Sequence, residues 1–293
     1  MIGIHMASRK EQKEQARAAR VEKEKAAANA KQRQRRLLTI GGIVVAAVVV
    51  VVVAIVISSG GGTKALATPS SSADKAAAKS VEALLTGLPQ SSGNTLGKTS
   101  APVTLTEFGD LECSICDEFD IPAGFTSPGG YSGTGILDTL IEQDVVTGKV
   151  KLVYKSLETA TGSGATPGMW TTQQAAVNAA GLQDKAWNYA ELFYNEQGQE
   201  DTNYVTMSYL EGLAKQIPGL NYTKWLHDLN SDASVRSEVS ANNTEGTQLD
   251  LGEASTPTIW VDGPKGQEHF EGITETTASA EVTMIQKAIA AAA

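Results

Sequence analysis

Residues 37–57 restrict this chain more than any other feature, because they run for twenty-one positions without one charged side chain and are rich in valine from Val44 to Val53. About 20 apolar residues, rising about 1.5 Å each, cross a hydrocarbon core about 30 Å thick. A buried strand or core helix seldom runs so long. The flanks give the direction: Lys31, Arg33, Arg35 and Arg36 abut one end, and residues 58–62 beyond the other carry no charge. The positive-inside rule then puts residues 1–36 in the cytoplasm and everything after Ile57 outside. The expectation is a single-pass protein of the cell membrane, held in the lipid bilayer through residues 37–57, with a cytoplasmic N-terminus and an extracytoplasmic C-terminal domain.

A cleaved signal peptide competes with this reading, since Ala65-Leu66-Ala67 has the small-x-small form of a cleavage site. The basic region is too long for a typical cleaved signal, the apolar run is too extended, and the site sits far beyond the run. No cysteine stands just after the segment, which excludes a lipoprotein anchor.

The formal charge of −9 hides two unlike parts. Residues 1–36 hold eleven Lys or Arg against four Glu, and the rest of the chain holds thirteen against twenty-nine acidic residues. An acidic body repels phosphates, so nucleic acid is not expected as its partner. The basic head, rich in Ala, Lys, Glu, Gln and Arg, reads as a topology signal, with a solvated helix along the anionic inner leaflet as the alternative.

Beyond the apolar run, residues 58–95 are rich in Gly, Ser, Thr, Ala and Lys, and Gly60-Gly61-Gly62 and Ser70-Ser71-Ser72 supply no core. They predict a flexible linker with room for one short helix at residues 76–85. Residues 96–170 then read as the first part of a folded domain. A strand is entered by Pro102 and carries Val103 and Leu105, and a helix over residues 113–119 is stopped by Pro122. A glycine-rich loop at residues 124–135 leads to a helix at 136–146, and the alternation of Val150, Leu152 and Tyr154 predicts a returning strand. This is a β-α-β unit with a right-handed crossover. Residues 171–251 carry helical spacing throughout and predict an inserted helical subdomain, with Trp187, Phe193 and Trp225 in its core. Residues 252–293 complete the domain with a strand at 258–261, a turn at Asp262-Gly263, a partner strand through His269 and Phe270, and a last helix at 276–291.

The chain has two cysteines, three apart, in Cys113-Ser114-Ile115-Cys116, between the predicted strand and helix. At a helix N-terminus the unpaired backbone N–H groups and the helix dipole favour a thiolate, lowering the pKa of Cys113 from about 8.5. Cys116, one turn on, can resolve a mixed disulfide. Three blander readings compete: half of a zinc site, a structural disulfide, and two inert thiols. A closed zinc site wants about four Cys or His ligands, and the chain adds only His5, His227 and His269. His227 and His269 show no pairing pattern and read as surface residues. A disulfide closing so short a loop is a poor staple. No metal and no cofactor is expected, and no phosphate loop or nucleotide fingerprint is present.

Several motifs together resemble the DsbA-like thioredoxin family: Leu96-Gly97, Ala101-Pro102-Val103, Glu107-Phe108, the Cys113 to Cys116 motif, Gly181 with Lys185-Ala186-Trp187, and Ser255-Thr256-Pro257-Thr258 followed by Val261-Asp262-Gly263. The resemblance covers residues 95–290. It implies an α/β thioredoxin-like fold with an inserted α-helical subdomain, here preceded by the transmembrane helix. It further implies that Pro257 is cis beside the Cys113 sulfur, and that Thr256 offers backbone hydrogen bonds to an extended substrate segment. Glu107, six residues before Cys113, would be the buried acid that shuttles the Cys116 proton; an ordinary edge-of-strand glutamate is the alternative. Asp110 and Glu112 read as solvent-facing. The family often places Pro and then an aromatic residue or His between its cysteines, where this chain has Ser114 and Ile115.

The reading is a membrane-anchored, extracytoplasmic protein thiol–disulfide oxidoreductase that passes its Cys113–Cys116 disulfide to exported protein thiols. The resemblance implies a membrane quinone-linked thiol oxidase as partner. One alternative is a reductase or isomerase kept reduced by a transmembrane donor. Another, of a different class, is a non-catalytic peptide-binding module on the same fold.

Overall fold

The structure is a computed structural model that describes residues 72–160, 168–249 and 255–293. The basic head and the expected membrane helix at residues 37–57 lie outside the described residues. Among the described residues no helix is long and apolar enough to cross a membrane.

The first difference from expectation is where the folded part begins. Residues 72–95 do not behave as a linker: α1 (Ser72–Leu85) turns Ala77, Val81 and Leu85, spaced four apart, into the core, where α1 packs on α5 (Ala186–Asn195). A small hairpin follows, β1 (Gln90–Ser91) and β2 (Thr95–Leu96), turning through Gly93 and Asn94 at positive φ. Its polar groups are used rather than solvated. The side chain of Gln90 accepts from Trp187 N at 3.1 Å and donates to Asn188 Oδ1 at 2.7 Å, while Asn94 O accepts from Trp187 Nε1 at 2.7 Å. Polar composition suggested a tether, but here the polar side chains tie the hairpin to the helices.

Six strands form one sheet in the order β1-β2-β4-β3-β5-β6. At its centre β3 (Val103–Gly109) runs parallel to β4 (Val150–Ser156), from Val103 opposite Val150 to Gly109 opposite Ser156. Its other edge pairs antiparallel with β5 (Thr258–Gly263), which pairs with β6 (Gly266–Glu271). The parallel pair requires a crossover, supplied by α2 (Ser114–Asp120) and α3 (Ile136–Leu140). The helix expected at residues 136–146 is two pieces, because α3 passes into a single π-turn at Ile141–Val145.

Between β4 and β5 lie α4 (Met169–Gly181), α5, α6 (Met207–Gln216), α7 (Tyr222–Ser231) and α8 (Ala233–Gln248). α4 is packed against α5, α7 and α8, and α8 returns to lie on β4. The last helix, α9 (Ala278–Ala292), covers β5 and β6 and touches α3. α5 also reaches α2, which brings a helix of the insertion against the helix that carries the cysteines.

Candidate active site

β3 ends at Gly109, and Asp110 to Glu112 turn the chain into α2. The turn is closed by Cys113 N donating to Asp110 O at 3.0 Å. Asp110 and Glu112 do not face solvent as expected; both are buried. The Asp110 carboxylate is held by three backbone N–H groups, those of Glu112 at 3.1 Å, Thr159 at 2.8 Å and Ala160 at 3.0 Å, so it pins the cysteine loop to the loop after β4. Glu112 accepts from Gln173 Nε2 of α4 at 3.0 Å. Burial, reinforced by the charges of Asp110, Asp201 and Glu200, pushes the Glu112 carboxyl up to about 7.

Cys113 stands immediately before α2 with extended backbone, and Cys116 lies one turn into it. Both are free thiols, with Cys113 7% exposed and Cys116 fully buried. Their surroundings pull them apart. Cys113 is held below the usual thiol range chiefly by its hydrogen bond to Cys116, helped by the side chain of Thr256 and by the backbone N–H groups of Cys116 and Ile115, against the opposing effect of burial. Burial pushes Cys116 well above that range, and its bond to Cys113 and the charges of Cys113 and Glu107 act in the same direction. The surroundings favour the thiolate at Cys113 and the protonated thiol at Cys116.

Opposite α2, the Thr256–Pro257 peptide bond is cis, and the carbonyl of Thr256 lies 3.4 Å from Cys113 Sγ, accepting from the thiol. The Thr256 hydroxyl shares a short hydrogen bond with that of Thr159, joining the segment before β5 to the loop that Asp110 holds. The two distant sequence signals, Cys113 and Thr256-Pro257, therefore meet.

Glu107 is on the face of β3 that also turns Val103 and Leu105 inward, and it is fully buried. Burial lifts its carboxyl to about 7, with the neighbouring Asp120 opposing and the Cys113 charge adding. Gly109 makes room above it. A Cβ there would stand 2.7 Å from Tyr194 Oη and 3.0 Å from Glu107 Oε1.

Several residues at this site escaped the sequence reading. Asp120 sits four residues after Cys116 on the same face of α2, a spacing that was there to be used. Asp117 is fully buried on that helix and is driven up to about 8, first by burial. Glu191 is an acid within α5, all ten of whose residues are buried. Glu200 accepts from Ser114 N at 3.2 Å, and no sequence pattern announces it. His269 stacks on Trp260, and His227 lies beside Asp228 on α7. Among the described residues no group of three or more His, Cys, Asp or Glu side chains is arranged to hold a metal ion.

Residues 131–277, half of the chain, match the family model described as Thioredoxin. That stretch starts after the cysteine pair, so the pair rests on its own geometry. A Probable disulfide bond formation protein D of Bacillus cereus is 25% identical over 186 residues, covering 62% of this chain and 76% of that protein. Its counterpart in Bacillus anthracis is 23% identical over 189 residues, with the same coverage. Oxidised BdbD of Bacillus subtilis superposes with a TM-score of 0.51 at 20% identity, over 69% of this chain and 97% of that one. A variant of alpha-DsbA1 from Wolbachia pipientis gives 0.51 at 16% identity, over 71% and 96%. At these identities the solved structures speak for the fold.

Proposed function

This chain belongs to the thioredoxin family, and on that footing we propose that it is a DsbA-like, membrane-anchored thiol–disulfide oxidoreductase that introduces disulfides into exported proteins. The observation that carries the chemistry is the opposed environment of the two sulfurs, one pulled towards thiolate and the other held protonated. The disulfide-forming direction takes support from the names of the two relatives.

The reaction runs in two exchanges. A substrate thiolate attacks Cys113 Sγ, the Cys113–Cys116 bond breaks, and Cys116 leaves with the electron pair and takes a proton from Glu107. A second substrate thiolate then attacks the substrate sulfur of the mixed disulfide and expels Cys113 as a thiolate. The substrate dithiol loses two electrons and two protons, and the enzyme gains the electrons as one thiol and one thiolate, with one proton left to solvent. Stabilising the Cys113 thiolate favours the reduced form and so strengthens the oxidant. Reoxidation reverses these steps on a partner disulfide, for which the family resemblance supplies a membrane quinone-linked thiol oxidase.

Thr256 and Pro257 form the wall beside Cys113. In this reading the Thr256 backbone pairs with an extended substrate segment, holding its sulfur in line with Cys113. The anchor at residues 37–57 and the position outside the cytoplasm rest on the charge asymmetry around that run.

Trapping tests the function. In Cys116→Ser a substrate stays covalently attached to Cys113, and the adduct appears on a non-reducing gel of exported proteins. In Cys113→Ser no adduct forms. Equal adducts in both variants, or none in either, contradict the assignment.

A further inference from the structure

Glu107 is one of three buried acids beneath Cys116. On top of burial, the charges of Glu107 and Glu191 both raise Asp120, and that of Glu107 raises Glu191, where α2 packs on α5. All three are at most 1% exposed, and among the described residues no hydrogen-bond partner reaches the carboxyl oxygens of Glu107, Asp120 or Glu191. No ion pair among the described residues includes them.

Three carboxyls buried together with no donor and no counter-charge cannot all be ionised, so the trio carries at most one negative charge. An uncompensated buried second charge would cost far more than retaining the proton. Among the described residues the surroundings supply no cation. β4 contributes Tyr154, α5 contributes Tyr194 beside Glu191, and α2 contributes Asp117, none of them basic.

On the far side, Glu191 feels the charge of Asp138 in the first turn of α3. Asp138 is half-buried, and its Oδ1 is buried without a donor. Burial, helped by Glu142, raises its carboxyl to about 6. A half-exposed acid with that affinity exchanges protons readily near neutral pH.

We propose that Glu107, Asp120 and Glu191 act as one proton store for Cys116, and that Asp138 is the group through which the store exchanges with solvent. The inference rests on the oxidoreductase reading above and extends its proton path from Glu107 through the helical insertion. When Cys116 leaves, Glu107 gives up its proton. The charge then passes by proton shifts to Asp120 and Glu191 and is discharged through Asp138. In reoxidation the same groups take the Cys116 proton outward. Glu191 never touches sulfur and acts through Asp120.

The test is the pH profile of disulfide reduction by dithiothreitol in the full chain, with rates corrected for the reagent's thiolate fraction. Unmodified protein is expected to hold a nearly flat corrected rate from weakly acidic to weakly basic pH. Glu191→Gln should lose about tenfold of that rate at the basic end and little at the acidic end, and Asp138→Asn about threefold. Glu191→Asp should recover part of the loss. Infrared difference spectra between the reduced and oxidised forms should show a carboxylic-acid C=O change, one component of which disappears in Glu191→Gln. Unaltered profiles in both variants would overturn the proposal and leave Glu107 exchanging by itself. Should Glu191→Gln fail to fold, the half-exposed Asp138→Asn decides alone. A disulfide that dithiothreitol cannot reduce in the unmodified protein would mean instead that the oxidoreductase reading fails.

Discussion

In the helical insertion Trp225 stacks on Tyr189 with ring centroids 5.7 Å apart, and its Nε1–H donates to Ala176 O at 2.9 Å. Tyr189 Oη donates to Leu210 O at 2.9 Å, and Tyr209 Oη to Glu196 O at 2.7 Å. These aromatic side chains bury large apolar surfaces and still find an acceptor for the polar end. Beneath Cys116 the practice is reversed. Glu107, Asp117, Asp120 and Glu191 are just as deeply buried, and their carboxyl oxygens receive no backbone donor. Around Trp225, Tyr189 and Tyr209 the insertion spends its polar groups on order, whereas the ground under the cysteines keeps groups that gain and lose protons, at a cost in stability. The two regions meet on α5, whose Tyr189 belongs to the first and whose Glu191 belongs to the second.

The contrast breaks most easily by truncating the insertion's core. Trp225→Ala should cost about 3–5 kcal/mol in urea unfolding, through lost burial and the cavity left behind. Exchange activity per folded molecule should remain. If folded protein lost its exchange, the separation between the two regions would be wrong.

An acid under the cysteines should behave in the opposite sense. The carboxyl of Asp117 is raised from 3.8 to about 8, so between those values the folded protein retains a proton that the unfolded chain releases. Stability therefore falls as pH rises through that window, and the penalty is fully present above it. Asp117→Asn should stabilise the protein by about 3 kcal/mol at pH 8.5 and by almost nothing at pH 3.5, allowing for the part of the ceiling, about 1.4 kcal/mol per pKa unit, that relaxation removes. A variant equally stable or less stable than the parent at both values would contradict the charge account. The smallest effect expected is that of Tyr189→Phe, about 1 kcal/mol for a single hydrogen bond; a much larger loss would mean that the bond does more than satisfy Leu210 O.

What was legible in the sequence follows the same division. Strong local signals were available for β3, β4 and β5, where apolar alternation is clean, and for the cysteine pair at a strand-to-helix junction. α8 was hard to delimit because its sequence is polar and only Val235, Val239, Asn242 and Gly246 are buried along it. The part from Ser72 to Thr95 reads as a linker because two-residue strands carry no periodicity, and because its polar residues bond to α5, far along the chain. Asp110 and Glu112 read as solvent-facing on residue type. Their burial depends on donors from Thr159, Ala160 and Gln173, which only the fold brings near. Glu107 is singled out by the family resemblance, six residues before Cys113, while Glu191, on the insertion, has meaning only once α5 is packed on α2.

The most direct test of the central claim is the equilibrium reduction potential of the Cys113–Cys116 pair in the full chain, poised against glutathione buffers and read by alkylation. A stabilised Cys113 thiolate beside a protonated Cys116 predicts a value in the range of strong protein oxidants, about −120 to −150 mV. A value near about −270 mV, where thioredoxin lies, would contradict the account and make the protein a reductant.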